Sequence, residues 1–378
     1  MQTAVVFFGG KSCEHDISII TGLQIMASMD KTKYKIVPVY ITRDGIWLTG
    51  DKLFKAKSFQ EFNTRGTRVC FLEPNQNRLL IKNVLIGSSV DADVAILCMH
   101  GINGEDGSLQ GMLTLSNIPY TSSGVLGSST TMDKIVMKGL FKAAGVASVP
   151  YVWLYSSEFT NMPELVIERV EAKLKYPVMV KPSNLGSSIG ISRCENREEL
   201  KLGLEVAQKY DNRILVEQAL VAFREINVSC LGSGGEFETS VCEEPIGFKN
   251  ILSFNDKYIS SKSDSGVKRI MPADIPGKIE TQIRKMAVRA CSLMDCSGVV
   301  RVDFLIDTAT NKLYINEINS IPGSLSLHMW RQSGVSLGEL IDTLVALAIK
   351  KHSAEKSLSY AYTSAALFNF GNNSKMNK

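Results

Sequence analysis

Several features that would announce a particular chemistry are missing. Eight cysteines are scattered at 13, 70, 98, 194, 230, 242, 291 and 296, with no CxxC pair among them. That spacing argues against a zinc site or a disulfide framework and suits free thiols in a reducing cytoplasm. The four histidines, at 15, 100, 328 and 352, do not cluster, which disfavours a histidine-based metal centre. No run approaches the roughly 18 apolar residues that a membrane span needs. The opening MQTAVVFFGG has no basic segment and too short an apolar run for a secretory signal. It reads instead as a strand ending in glycines. The net charge of +4 is not gathered into a long basic block, so nothing calls for nucleic acid. GGKS at 9–12 has the ending of a P-loop, but Val5 stands where that motif needs its first glycine. No internal repeat is visible. A soluble cytoplasmic protein without a membrane or nucleic-acid partner is expected.

What is present is ordinary in bulk: 378 residues, 44% hydrophobic, room for two or three domains. Residues 1–122 alternate strands such as TAVVFFGG, KIVPVYIT and the nearly continuous apolar ADVAILCMH with a helix over 17–27. Such runs suit buried parallel strands, so an open α/β domain is expected. Residues 123–220 hold the amphipathic helices DKIVMKGLFKAAG, PELVIERVEAKLKY and REELKLGLEVAQKY among strands YPVMVKP, ISRC and RILVEQAL, a small α+β sandwich. A third unit over 221–350 has strands REINVSCLG and TSVCEEPI, a long helix from 277 and a closing helix SLGELIDTLVALAIKKH. Residues 248–272 lack periodicity and are polar, the mark of a functional loop or of disorder. The segment 351–378 ends in a polar tail.

The richest stretch is RVDFLIDTATNKLYINEIN, 301–319, two strands around a turn. With the turn centred on Thr310, Asp303 lies opposite Glu317 and Arg301 opposite Asn319. Directly opposed residues sit about 5 Å apart at Cβ. Two facing carboxylates repel there unless a cation lies between them, and magnesium takes such oxygen ligands together with substrate phosphates. A solvated strand end is the competing reading, and the hairpin alone does not separate the two.

Other segments carry weaker signals. HGINGEDGSLQG, 100–111, places His100 at the carboxyl end of a buried strand before a glycine-rich loop, where open α/β sheets bind ligands. KPSNLGSSIGI, 181–191, offers Lys181, Ser187, Ser188 and loop amides to phosphate. VEQAL sets Glu217 among apolar residues, and Glu225 follows in REINVS. Gly323, in IPGSLSLH, can present a backbone N–H to developing negative charge. Each has a bland counterpart: a turn, an edge acid, a satisfied histidine.

Their order is more telling than any one of them. GGKSCEHDIS, HGINGEDGSLQG, MDK at 132–134, VKPSNLGSSIGI, VEQAL, DKY at 256–258, RVDF and NEINSIPG fall in sequence across residues 5–330. Together they resemble the D-alanine–D-alanine ligases of the ATP-grasp superfamily. The resemblance implies an ATP-grasp fold, α/β (α+β), behind an N-terminal open α/β domain, with 123–220 and 221–350 as the two grasp subdomains and 248–272 as a lid. It implies ATP-dependent joining of two D-alanines through an acyl phosphate for peptidoglycan synthesis. Asp303, Glu317 and Asn319 then hold two magnesium ions, for which manganese can substitute. Arg301 and the Gly323 N–H stabilise the tetrahedral intermediate. Lys134, Lys181, Lys257 and Ser188 hold phosphates, and Glu217, Gln218, Leu220 and Glu225 hold adenine and ribose. Glu14, Ser187 and Tyr258 form a linked trio, with Glu14 on the first alanine's ammonium and His100 beside the substrate. A homodimer is also implied. The family's serine–leucine pair for the second substrate's carboxylate is replaced, without a gap, by His328 and Met329, leaving Ser324 or Ser326 as substitutes. A related ligase with another second substrate, or a nucleotide-binding protein without ligase activity, are the alternatives.

Overall fold

The computed structural model describes residues 1–82, 87–246, 268–359, 362 and 364. The first unit comprises β1 (Gln2–Gly9), α1 (His15–Ser28), β2 (Tyr34–Ile41), β3 (Trp47–Thr49), β4 (Arg68–Glu73), β5 (Arg78–Ile81), β6 (Ser88–Asp91), β7 (Val94–Leu97) and α2 (Ser108–Leu115). They build a seven-stranded sheet in the order β6-β5-β4-β3-β2-β1-β7. Only β1 pairs in parallel, with β2 and β7. From β2 to β6 the strands run antiparallel; three of the four connections are short, and the longer one between β3 and β4 carries two short 3-10 helical turns but no crossover helix. The expected open α/β sheet is therefore half meander. Ala4–Phe8 are fully buried, so β1 is a central strand covered on both faces.

The second unit follows with α3 (Val125–Met132), α4 (Lys134–Ala143), β8 (Tyr151–Tyr155), α5 (Ser156–Asn161), α6 (Pro163–Glu171), β9 (Val178–Pro182), β10 (Ser192–Cys194), α7 (Arg197–Ala207) and β11 (Arg213–Gln218). The sheet β10-β9-β11-β8 is antiparallel. One face packs Val152, Val180, Ile214 and Val216 against Val166, Ile167, Leu200 and Leu204 of α6 and α7. The other face carries Lys181 and Glu217.

The third unit contains β12 (Phe223–Ser233), β13 (Glu236–Thr239), β14 (Glu244–Ile246), β15 (Lys268–Ile270), α8 (Gly277–Leu293), β16 (Gly298–Asp307), β17 (Leu313–Asn319), α9 (Leu327–Gln332) and α10 (Leu337–Lys356). Its sheet runs β13-β12-β16-β17, with Ile226, Val228, Val302 and Phe304 buried against Ile283 and Ala287 of α8. TSVCEEPI, expected as one strand, is split. Ser240 pairs with Ser229 and Glu243 with Asn227, so one extra residue lies between them and breaks the ladder. Of the aperiodic 248–272 stretch, 248–267 lies outside the described residues; Lys268–Ile270 pairs with Glu244–Ile246. The closing helix α10 runs on to Lys356, into the segment read as tail. Its Leu340, Ile341 and Leu344 join the core of the first sheet, so the last helix of the third unit ties it to the first.

Candidate active site

The site begins with a registry effect. Arg301 pairs with Asn319 and Asp303 with Glu317, as counted from the sequence, but Phe304 pairs with Ile315. Asn316 is therefore an extra residue on β17. In an unbroken strand Leu313, Ile315, Glu317 and Asn319 would share one face. The bulge reverses the alternation, so Leu313, Ile315 and Ile318 are all buried. Glu317 and Asn319 are turned to the opposite face, beside Arg301 and Asp303. Bulges re-aim side chains in this way next to active sites.

Asp303 is 3% exposed and accepts a bidentate pair of hydrogen bonds from Arg301, Nε to Oδ1 at 2.7 Å and Nη2 to Oδ2 at 2.8 Å. Asn319 Nδ2 donates to Asp303 Oδ2 at 3.2 Å. Two carboxylates and an amide oxygen on one sheet face form an all-oxygen donor set that fits a hard divalent cation.

The second unit faces this set with lysines. Asp133 caps α4 by accepting the N–H groups of Ile135 and Val136. It also accepts from Ser183 Oγ at 2.9 Å and pairs with Arg213, which anchors the start of the helix. Lys134, on the first turn, donates to the Leu185 carbonyl at 2.7 Å and reaches Glu317 at 3.9 Å. One turn further, Lys138 meets Glu217, which Lys181 also engages. Lys138 and Glu217 are 1% and 2% exposed. Burial alone would raise the Glu217 carboxyl, but the two ammonium groups hold it down at about 2. Burial lowers the Lys138 ammonium, whereas Glu217 outweighs burial at Lys181 and raises it. Lys138 escaped the sequence reading. Its signal was a lysine on the face of α4 that buries Ile135, Met137 and Phe141.

The first unit contributes the other wall. Glu14 accepts a hydrogen bond from Ser187 Oγ, joining the first unit to the loop after β9. A Cβ on Gly101 would lie 2.3 Å from Ser12 Oγ and 3.1 Å from Glu14 Oε2, and its φ is +76°. A Cβ on Gly186 would lie 2.9 Å from Glu14 Oε2. Both glycines let backbone close around this carboxylate. Glu14 lines a cavity of about 340 Å³ with Lys11, Arg43, Ile102, Leu185 and Ile189. His100 lies beneath, with Nε2 at 3.0 Å from Thr21 Oγ1. Burial lowers its pKa, opposed by the Glu14 charge and a bond to the Ile321 backbone.

Glu105, not singled out from the sequence, accepts the N–H groups of Gly101 at 2.7 Å and Ile321 at 3.2 Å. It ties the glycine-rich loop to the turn after β17. Burial and the nearby Glu14 raise its carboxyl to about 8.

The remaining expected residues scatter in role. Gln218 braces the chain before β9, donating to the Lys175 carbonyl at 2.7 Å and accepting from the Lys175 N–H at 2.9 Å. The Leu220 carbonyl accepts from Arg193 at 3.3 Å, and Glu225 accepts from Asn227 Nδ2 at 3.2 Å. Ser188 follows Ser187 in a left-handed turn. Gly323 opens a short helical turn, and a Cβ there would meet nothing within 4 Å. Ser324 Oγ donates to Gln24 at 2.7 Å, and Ser326 is 1% exposed. Lys257 and Tyr258 lie outside the described residues.

Comparison with known proteins assigns the chain to a family. Residues 3–123 match the family model "D-ala D-ala ligase N-terminus", and residues 140–346 match "D-ala D-ala ligase C-terminus". The D-alanine–D-alanine ligase of Caldicellulosiruptor bescii is 39% identical over 365 residues, covering 94% of this chain and 97% of that protein. That of Macrococcus caseolyticus is 40% identical over 361 residues, with 94% and 97% covered. Among solved structures, the Coxiella burnetii D-alanine–D-alanine ligase superposes with a TM-score of 0.81 at 28% identity, covering 94% and 96% of the two chains. The VanG D-Ala:D-Ser ligase of Enterococcus faecalis gives 0.80 at 27%, covering 92% and 99%. Matched by family models over both parts and by relatives along nearly its whole length, this chain belongs to the D-alanine–D-alanine ligase family and has its ATP-grasp fold.

Proposed function

We propose that this enzyme uses ATP to join two D-alanine molecules, through a D-alanyl phosphate, for peptidoglycan precursor synthesis. The observation that carries the reading is the facing of Lys134 and Glu317 at 3.9 Å across two units, with the Arg301–Asp303 pair beside them. A phosphate chain fits between lysines on one side and oxygen ligands on the other. The free thiols, seven of eight buried, suit a reducing cytoplasm.

Glu14 binds the ammonium of the first D-alanine, with Ser187 holding its carboxylate in place. The substrate carboxylate attacks the γ-phosphorus of ATP, and ADP leaves. Lys134 and Lys181 neutralise the phosphate oxygens, so positioning and electrostatics do most of the work. Asp303, Glu317 and Asn319 would hold two magnesium ions, which supply charge neutralisation on the phosphates when bound. The amine of the second D-alanine attacks the acyl carbon. Arg301 and the Gly323 N–H take up the charge on the resulting oxyanion, and phosphate departs.

The test is phosphate release from Mg·ATP by purified protein with D-alanine alone, products being identified by mass. D-alanyl-D-alanine is expected. Release only when D-serine or D-lactate is added, or no release at all, would overturn the proposal.

A further inference from the structure

After β17 the chain makes a turn whose backbone is strained. Ser324, Leu325 and Ser326 hold φ of +48°, +53° and +51°. Left-handed backbone is costly for any residue with a Cβ, and a run of it persists only where the surroundings over-determine it. Within the turn, the Leu325 N–H donates to the Pro322 carbonyl at 2.8 Å. The other holds come from the first unit.

One hold is on Ile321. Glu105 Oε1 accepts the Ile321 N–H at 3.2 Å, while Oε2 accepts the Gly101 N–H at 2.7 Å. The Ile321 backbone also bonds His100, and that bond raises the imidazole pKa. A carbonyl accepting a ring N–H has this sign, whereas an N–H given to the ring has the opposite one. The glycine-rich loop therefore grips both the N–H and the carbonyl of Ile321.

The second hold is on Ser324. Its N–H donates to Thr21 Oγ1 at 3.4 Å, and that oxygen lies 3.0 Å from His100 Nε2. One tautomer satisfies every group. Nδ1–H donates to the Ile321 carbonyl, Nε2 accepts the Thr21 hydroxyl proton, and the hydroxyl oxygen accepts the Ser324 N–H. This arrangement needs a neutral ring, and burial lowers the His100 pKa accordingly. Thr21 is fully buried and His100 is 4% exposed, so water does not compete for these bonds.

Gly323 lies between the two held positions. A Cβ on it would meet nothing within 4 Å, so this residue alone faces open space while its neighbours at 321 and 324 are clamped. A backbone N–H is useful to a developing oxyanion only when it is aimed before the charge appears.

We propose that Glu105 is a positioning residue for the second chemical step: by holding Ile321 against the glycine-rich loop, it aims the Gly323 N–H at the oxyanion. The inference rests on the ligase reading above, which gives Gly323 that role. Glu105 itself touches no substrate. Both of its oxygens serve as acceptors, so alanine releases Gly101 and Ile321 together. Glutamine keeps the volume but offers one acceptor for two N–H groups.

The experiment separates the two steps at saturating D-alanine, where changes in donor affinity drop out. With Mg·ATP and rapid quenching, ADP formed in the first turnover reports acyl phosphate formation, and D-alanyl-D-alanine reports the second step. Losing an oxyanion donor outright costs about 100-fold or more. A misaimed donor in Glu105→Ala should slow dipeptide formation at least about tenfold more than ADP formation, so that a burst of ADP precedes the dipeptide. Glu105→Gln should fall between Glu105→Ala and wild type. Thr21→Val, which removes the hold on Ser324, should shift the two steps in the same direction. Equal slowing of both steps in Glu105→Ala, as a merely structural role would give, or unaltered dipeptide formation, overturns the inference and leaves the ligase reading standing. Where Glu105→Ala does not melt cooperatively, Thr21→Val decides by the same criterion. Absence of D-alanyl-D-alanine with wild type overturns the ligase reading itself.

Discussion

The buried triad of Lys138, Glu217 and Lys181 offers the sharpest physical test. Glu217→Gln keeps the shape of the side chain and removes its charge. Two ammonium groups then remain with no counter-charge between them, Lys138 being 1% exposed and the Lys181 side chain 12%. Breaking a buried pair by removing one partner costs about 3–5 kcal/mol. An independent route gives a similar size. The gap between a carboxyl at about 2 in the fold and its ordinary 4.5 corresponds to about 3 kcal/mol at neutral pH. Because the folded value is depressed, this contribution is fully present above about pH 4.5 and is lost as the pH falls toward 2. Thermal melting followed by circular dichroism at pH 7 should show Glu217→Gln lowered by about 10 °C, at a few degrees per kcal/mol for a unit of this size. Adding Lys138→Met should recover about half of the loss, since only the better-solvated Lys181 is then left over. A single-variant loss under about 1 kcal/mol, or further destabilisation on adding Lys138→Met, would refute the account of the triad.

Other expectations follow from the same geometry. Asp303→Asn, at the proposed metal ligand, should abolish dipeptide formation and lower the melting point less than Glu217→Gln, because its partner Arg301 has a side chain 25% exposed; unimpaired turnover would remove it from the metal site. Gly186→Ala places a methyl 2.9 Å from Glu14 Oε2, the end of a movable side chain. It should raise the KM of the first D-alanine about tenfold or more with little change in stability, and an unchanged KM would count against Glu14 as the ammonium ligand. Deletion of Asn316 should remove the bulge yet leave Ile315, Glu317, Ile318 and Asn319 in strict alternation, with Glu317 and Asn319 still on the face of Asp303, so cooperative melting should survive. A deletion variant that loses its sharp melting transition would mean that Asn316 is part of the regular ladder and not the extra residue. Chelation of divalent metal should stop phosphate release, and added magnesium or manganese should restore it.

How far local pattern reaches is clear from particular residues. Counting outward from Thr310 paired Arg301 with Asn319 and Asp303 with Glu317, and the structure has that pairing. The count did not contain the bulge that turns Leu313 and Ile315 to the face opposite those pairs. A trace of it was visible, for Leu313, Ile315 and Ile318 break a strict period of two. Glu105 and Glu243 escaped because their partners, Ile321 and His328, are 216 and 85 positions away. Lys138 looked like any surface lysine on an amphipathic helix until Glu217 and Lys181 closed over it.

Motif order and hydrophobic periodicity by themselves determined the family resemblance, most helices and core strands, and the identity of the candidate ligands. Those properties depend on neighbours a few residues apart, which a linear text preserves. Only the tertiary structure decided which face the candidate ligands occupy, that α10 closes the core of the first sheet, and that His328 meets Glu243. Each of these depends on groups brought together by long-range pairing, where one inserted residue or one buried counter-charge changes the outcome without altering the local pattern.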